Sequence, residues 1–241
     1  MKNKEKAIAV IVAGGTGTRM GNKVPKQFLP YKGKTVLEHA IIPFLQSEKV
    51  DGAVVVIPEQ NKKEFDVIFD RLSRISTKPI GVTIGGESRQ QSVRNGLEYI
   101  SNMAEDTDEW IILIHDGARP NITTDVIDKN IEVAKTHKAA VTVVAATDTM
   151  RIISQKSLKY MGNCPILSSE TLPRELLYNV QTPQTFKKKV IEEALNNADE
   201  KGIVGTDDSM LVDMVGVNSV MVKGRHDNIK ITRKEDLPCE I

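Results

Sequence analysis

The chain has 241 residues, 40% of them hydrophobic and 27% charged, which fits a single packed, water-soluble α/β domain with room for a modest appendage. A formal net charge of +1 excludes a dedicated nucleic-acid surface, and no apolar stretch is long enough to cross a membrane. Two cysteines, Cys164 and Cys239, stand far apart without metal-ligand spacing, so neither a disulfide framework nor a zinc site is expected.

The lysine-rich start runs into an apolar stretch over residues 8–13 that is too short for a secretory signal, so a cytoplasmic protein is expected. Short β-branched runs predict strands at Ala7–Val12 (AIAVIV), Gly52–Ile57 (GAVVVI), Ile80–Ile84, 110–115 (WIILIH) and 140–145 (AVTVVA). Apolar spacing near a period of 3.6 predicts helices over 35–47, 62–74, 88–103, 124–135 and 187–201. Strand-then-helix alternation implies a three-layer, Rossmann-like α/β fold with a mostly parallel sheet covered on both faces. Aromatics are only 4%, so the core rests on Val, Ile, Leu and Ala, a palette suited to buried parallel strands. Over about 148–180 the rhythm breaks into Ser, Lys, Gly and two prolines. A projecting arm is expected there, too thin for its own core and so packed on a second subunit.

The first strand leads into Ala13-Gly14-Gly15-Thr16-Gly17-Thr18-Arg19-Met20-Gly21, followed by Pro25-Lys26-Gln27-Phe28. Glycines here let the chain turn tightly, so that backbone N–H groups of Ala13, Gly14, Gly15 and Gly17 face one concavity suited to phosphate. Only half of a GxGxxG dinucleotide fingerprint is present, and no GK[ST] follows. The distinguishing feature is the pair of permanent cations, Arg19 and Lys26. They suit a triphosphate under attack at its α-phosphorus, where charge builds on the non-bridging oxygens. A solvated glycine turn with incidental charge is the competing reading of this loop alone.

Further motifs occur along the chain: Gly85-Gly86-Glu87-Ser88-Arg89-Gln90-Gln91-Ser92-Val93-Arg94-Asn95-Gly96-Leu97, then His115-Asp116-Gly117-Ala118-Arg119-Pro120, Asp148-Thr149, Gln181-Thr182-Pro183-Gln184, Thr206-Asp207-Asp208 and Gly224 through Thr232. In this order, with GGTGTRMG and PKQFL, they resemble the 2-C-methyl-D-erythritol 4-phosphate cytidylyltransferase family and its close relative, ribitol-5-phosphate cytidylyltransferase. The resemblance implies a nucleotidyltransferase fold that moves CMP from CTP to a small polyol phosphate, releases pyrophosphate and uses magnesium. It also implies a homodimer that exchanges its arms. Methylerythritol phosphate, in isoprenoid precursor synthesis by the non-mevalonate pathway, is the expected acceptor, and ribitol phosphate for wall polymers is the alternative. A non-catalytic CTP-binding regulator is the alternative of a different class, disfavoured by the joint presence of Arg19, Lys26 and Lys230.

The resemblance also distributes roles. Arg19, Lys26 and Lys230 are the expected catalytic cations. Gly85, Gly86, Glu87, Ser88, Arg89 and Ser92 read the cytosine and ribose, although Ser88 fits a helix cap equally well. Asp116 closes a strand at the carboxyl end, where open α/β sheets place ligands, and is expected to hold substrate and metal. Asp227 is its expected partner as a metal carboxylate. Arg119 grips the acceptor's phosphate through its planar fork. Thr149 and Thr182 supply acceptor-binding hydroxyls, and Arg174 on the arm reaches a neighbouring subunit's site, with an exposed ion pair as its plainer role. Asp207 and Asp208 read as caps of the helix that follows, and His115 receives no role. Gly117 stands where relatives commonly carry Ala.

Overall fold

The computed structural model describes residues 5–14, 25–153 and 168–237. Period-two burial organises it. Along β1 (Ala7–Val12), Ala7, Ala9 and Ile11 enter one apolar cluster while Ile8 and Val10 enter another. A strand buried on both faces needs helices on both sides, and they are supplied in two sets. Helices α1 (Val36–Gln46), α2 (Lys62–Ser73) and α4 (Thr124–His137) cover the first cluster through Leu37, Ile41, Phe65, Ile68 and Ile127. Helices α3 (Arg89–Ser101), α5 (Lys188–Glu200) and α6 (Asp208–Asp213) cover the second through Val93, Leu97, Ile191 and Leu211.

Helix starts follow local chemistry. Thr35 and Glu38 close a reciprocal capping box on α1, and the Ser88 hydroxyl accepts from Gln91 N–H at the start of α3. Between the first strand and α1, the short strands β2 (Pro30–Tyr31) and β3 (Lys34–Thr35) pair as a hairpin whose turn holds Lys32 and Gly33 at positive φ.

The remaining strands are β4 (Gly52–Ile57), β5 (Ile80–Ile84), β6 (Ile111–Asp116), β7 (Ala139–Ala145), β8 (Arg151–Ile153), β9 (Ser168–Thr171), β10 (Tyr178–Lys187) and β11 (Val220–Lys223). Seven of them form one sheet in the order β11-β7-β10-β6-β1-β4-β5. The pairs β1–β4, β1–β6, β4–β5 and β7–β11 are parallel. β10 runs antiparallel between β6 and β7, which makes the sheet mixed. The expected three-layer fold with a mostly parallel sheet is therefore present, with five strands close to their predicted bounds.

β10 is the strand that sequence periodicity does not reveal. Its segment YNVQTPQTFK carries a proline and three polar or charged side chains in its second half, where no apolar alternation survives. The ladder to β7 shifts register between Val180 and Gln184, around that proline. Within the expected arm, β8 and β9 form a separate two-stranded antiparallel sheet. Residues 154–167, and with them Cys164, lie outside the described residues.

Gly96 shows how closely α3 lies on the sheet. A Cβ there would fall 2.6 Å from Val10 Cγ1 and 3.3 Å from Val56 Cγ2. Alanine normally stabilises a helix by about 1 kcal/mol over glycine, but overpacking a core costs about 1–3 kcal/mol. Gly96→Ala is expected to lower stability by up to about 2 kcal/mol in urea denaturation. A gain in stability would show that α3 has room to spare.

Candidate active site

The site lies where β1 and β6 end side by side. Their register pairs Val12 with Asp116, and Gly117 N–H donates to Val12 C=O at 2.9 Å. Gly117 is packed tightly: a Cβ there would meet Ala13 Cβ and Leu37 Cδ1, each at 3.0 Å. That crowding suits a glycine at this position.

The two glycine turns touch each other. A Cβ on Gly14 would lie 3.0 Å from Ser92 Oγ, and one on Gly85 would lie 3.2 Å from Gly14 Cα. Ser92 braces this junction from within α3. Its buried hydroxyl accepts from Gly86 N–H at 3.1 Å and donates to Ser88 C=O at 2.9 Å. Ser88 is the α3 cap, and Glu87 is exposed on the turn between them. In this structure the Ser88 and Ser92 hydroxyls both make hydrogen bonds within the protein that shape this turn. Gly15, Gly17 and Arg19 lie outside the described residues. Lys26 opens a 3-10 turn, Lys26–Phe28, next to Gln27, whose buried side-chain amide donates to Ala13 C=O. This bond ties the PKQF segment to the first residue of the first glycine loop.

A cluster of charges gathers on Asp116. Its Oδ1 is 3.1 Å from Arg89 Nε, and its Oδ2 is 2.9 Å from Lys230 Nζ and 3.5 Å from Arg119 Nε. Burial alone would raise this carboxyl, but Arg89, Lys230 and Arg119 outweigh it and hold it well below the usual carboxylate range. Arg89 also places its other edge 2.8 Å from Oδ2 of buried Asp208. Three cations against two carboxylates leave one positive charge in the cluster, which favours an anionic ligand.

Asp208 is the member that sequence reasoning missed. Asp207 alone caps α6, accepting from Met210 N–H at 2.8 Å, whereas Asp208 turns inward to α3. Only one of two adjacent aspartates can occupy an N-cap, and that is the signal that could have singled out the second.

His115 and Thr182 support the strand end. His115 Nε2–H donates to Arg119 C=O at 3.1 Å, which leaves Nδ1 to accept from the Thr182 hydroxyl at 2.9 Å. Thr182 Oγ1 in turn accepts from Asp116 N–H at 3.1 Å. In this structure the Thr182 proton is therefore directed to His115. Gln181 acts in a similar way. Its side chain donates to Arg225 C=O and accepts from Asn228, which also donates to Thr182 C=O. Arg119 donates to Asn228 C=O at 2.9 Å, so the segment that carries Lys230 is fastened to β10 and to the Asp116 turn.

Three expected site residues stand apart from this cluster. Asp227 forms a two-pronged ion pair with Arg225, at 2.9 and 2.7 Å, and shares no ionic partner with Asp116. In this structure Asp227 is thus occupied by Arg225 instead of facing Asp116. Among the described residues no group of three or more His, Cys, Asp or Glu side chains is placed to cage a metal. Thr149 is exposed beyond β7, and exposed Arg174 donates to Thr147 C=O at the root of its own arm.

Burial lowers the pKa of His115 to about 4. The unfolded chain takes up this proton first, so the neutral ring contributes stability above about pH 6.5 that is lost as pH falls towards 4. Between pH 6.5 and 4.5 the wild type should lose stability more steeply than His115→Asn, by about 1 kcal/mol per pH unit. Parallel denaturation profiles for the two proteins would exclude a buried neutral imidazole.

Residues 7–240 match the IspD family model, described as 2-C-methyl-D-erythritol 4-phosphate cytidylyltransferase. The chain is 39% identical over 230 residues to a protein of that name from Clostridioides difficile strain 630, covering 95% of this chain and 89% of the relative. It is 38% identical to the one from Caldanaerobacter subterraneus, over 95% of this chain and 94% of that relative. Among solved structures it superposes on the 4-diphosphocytidyl-2C-methyl-D-erythritol synthase of Anaerococcus prevotii with a TM-score of 0.80 and 27% identity, covering 96% and 92% of the two chains. These names leave the ribitol phosphate alternative unfavoured. The chain belongs to the 2-C-methyl-D-erythritol 4-phosphate cytidylyltransferase family.

Proposed function

We propose that this site carries out the family's reaction as a CTP-dependent nucleotidyl transfer: CMP passes from CTP to 2-C-methyl-D-erythritol 4-phosphate and pyrophosphate leaves. The observation that carries this assignment is the charge cluster on Asp116, set beside two touching glycine turns at the carboxyl end of β6. Backbone groups of Ala13, Gly14, Gly15 and Gly17 receive the triphosphate, and the turn of Gly85, Gly86, Glu87 and Ser88 receives cytidine. Arg119 holds the acceptor's phosphate. An oxygen of that phosphate attacks the α-phosphorus in line, a new P–O bond forms, and the bond to the bridging oxygen of pyrophosphate breaks. No general base is needed, because a phosphate monoester is already ionised near neutral pH. Arg19, Lys26 and Lys230 offset the charge that gathers on the α-phosphate, so positioning and electrostatics supply the rate.

The residues fit magnesium carried in on the nucleotide's phosphates, a mode that needs one or two carboxylates rather than a protein cage. Asp116, ionised and buried at the strand end, would hold it. Asp227 would join only by leaving Arg225. When bound, the ion supplies Lewis-acid neutralisation of phosphate charge. Lys230, which shares Oδ2 of Asp116, lies 40% exposed and is placed to exchange that carboxylate for a phosphate oxygen.

The arm is proposed as the contact between two copies of the chain. Leu176, Tyr178 and Val180 are 73%, 47% and 45% exposed along the arm and the start of β10, apolar surface that supports burial against a partner. Arg174 is proposed to reach the neighbouring site from there. No helix among the described residues is long and apolar enough to cross a membrane, and a nucleoside triphosphate donor accords with the cytoplasmic location expected from the sequence.

Incubation with CTP, magnesium and either acceptor, followed by pyrophosphate measurement, tests the assignment. Methylerythritol phosphate should turn over and ribitol phosphate should be far slower; the reverse order would reassign the acceptor. Lys230→Met and Lys26→Ala should each reduce kcat by about 10²–10³ with a nearly unchanged melting temperature. Retained turnover in the folded variants would remove those lysines from the reaction. Leu176→Glu should shift a dimer to a monomer in light scattering, and a monomeric wild type would exclude the arm as an interface.

A further inference from the structure

Arg89 serves two carboxylates at once. Its Nε lies 3.1 Å from Asp116 Oδ1, and a terminal nitrogen lies 2.8 Å from Asp208 Oδ2. A guanidinium is planar and rigid, so fixing one edge sets the direction of the other. Asp208 is suited to do the fixing. It is 1% exposed, and its backbone is clamped by Gln184, whose Oε1 accepts from Asp208 N–H at 3.0 Å and Ser209 N–H at 2.9 Å. Gln184 Nε2 also donates to the cap carboxylate of Asp207 at 3.0 Å. Gln184 is itself 1% exposed on β10, in register with Ile114 of β6, two residues before Asp116. A closed path thus runs from β6 across β10 to the start of α6, and returns through Asp208 and Arg89 to Asp116.

We propose that Asp208 is a positioning residue for the transfer reaction, acting through Arg89 on Asp116. With Arg89 drawn to Oδ1 of Asp116, Oδ2 is left to Arg119 and, more closely, to Lys230, the cation proposed to meet the phosphates. Without the Asp208 charge, Arg89 can rotate to take both oxygens or move away, and Lys230 loses its fixed partner. The last glutamine of the QTPQ motif is thereby explained as the clamp that sets Asp208. This inference rests on the assignment of Asp116, Arg89 and Lys230 to cytidylyl transfer.

The test uses the full chain with CTP, magnesium and methylerythritol phosphate, and reads kcat, KM for CTP and the denaturation midpoint. An inactive wild type would sink the underlying assignment rather than the positioning role. Given an active wild type, Asp208→Asn should lower kcat by about 10–100-fold while KM for CTP changes less than about threefold. Asp208→Glu, which keeps the charge one methylene further out, should recover kcat to within about threefold of wild type. In an Arg89→Met background, Asp208→Asn should cost no further kcat, because its effect passes through the missing guanidinium. Should the asparagine variant not fold, Asp208→Glu takes its place in the same cycle, with its smaller loss likewise abolished by Arg89→Met. Additive losses in kcat, or an Asp208→Asn variant that is destabilised but turns over at the wild-type rate, would overturn the proposal.

Discussion

A single buried carboxylate orders this site. Asp116 ends a fully buried strand, so its charge is tolerable only with close partners, and Arg89, Arg119 and Lys230 provide them. Each comes from a different part of the chain: the start of α3, the turn after β6 and the segment beyond β11. The demand for compensation at one point therefore draws two distant segments to the turn that carries Arg119. With Asp208 the cluster keeps a net positive charge, so the arrangement that makes Asp116 stable also attracts a polyphosphate.

The sheet makes that convergence possible. Parallel neighbours β1 and β6 place the first glycine loop and Asp116 at the same edge, and β4 and β5 bring the second glycine turn alongside. β10 enters in the opposite sense and contributes side chains where a parallel strand would contribute a loop. Gln181 fastens the segment leading to Lys230, Thr182 supports Asp116 and His115, and Gln184 fastens α6. One short polar motif thus joins the nucleotide half of the sheet to the last third of the chain. Its polarity is tolerated because each of these groups has a partner within the protein.

The division of labour among hydroxyls follows the same logic. Ser88, Ser92 and Thr182 belong to motifs that family resemblance associates with ligands, yet each hydroxyl is satisfied by nearby backbone or by His115. They stiffen the walls of the site, and in the proposed reaction the backbone amides and the cations contact the ligand. His115, without an evident role in the sequence, becomes the buried neutral ring that links Thr182 to the Arg119 carbonyl.

Strand–helix alternation, the five main strands and helices and the glycine turns were legible in the sequence, because period and glycine placement are local properties, whereas Arg119 and Lys230 were singled out only through the family resemblance. Only the tertiary structure decided the rest. It inserted β10 antiparallel, since a polar strand with an internal proline has no apolar period to read. It also turned Asp208 inward to Arg89 and gave Asp227 to Arg225, because an ion pair depends on which backbones approach in space, and spacing along the chain does not encode that.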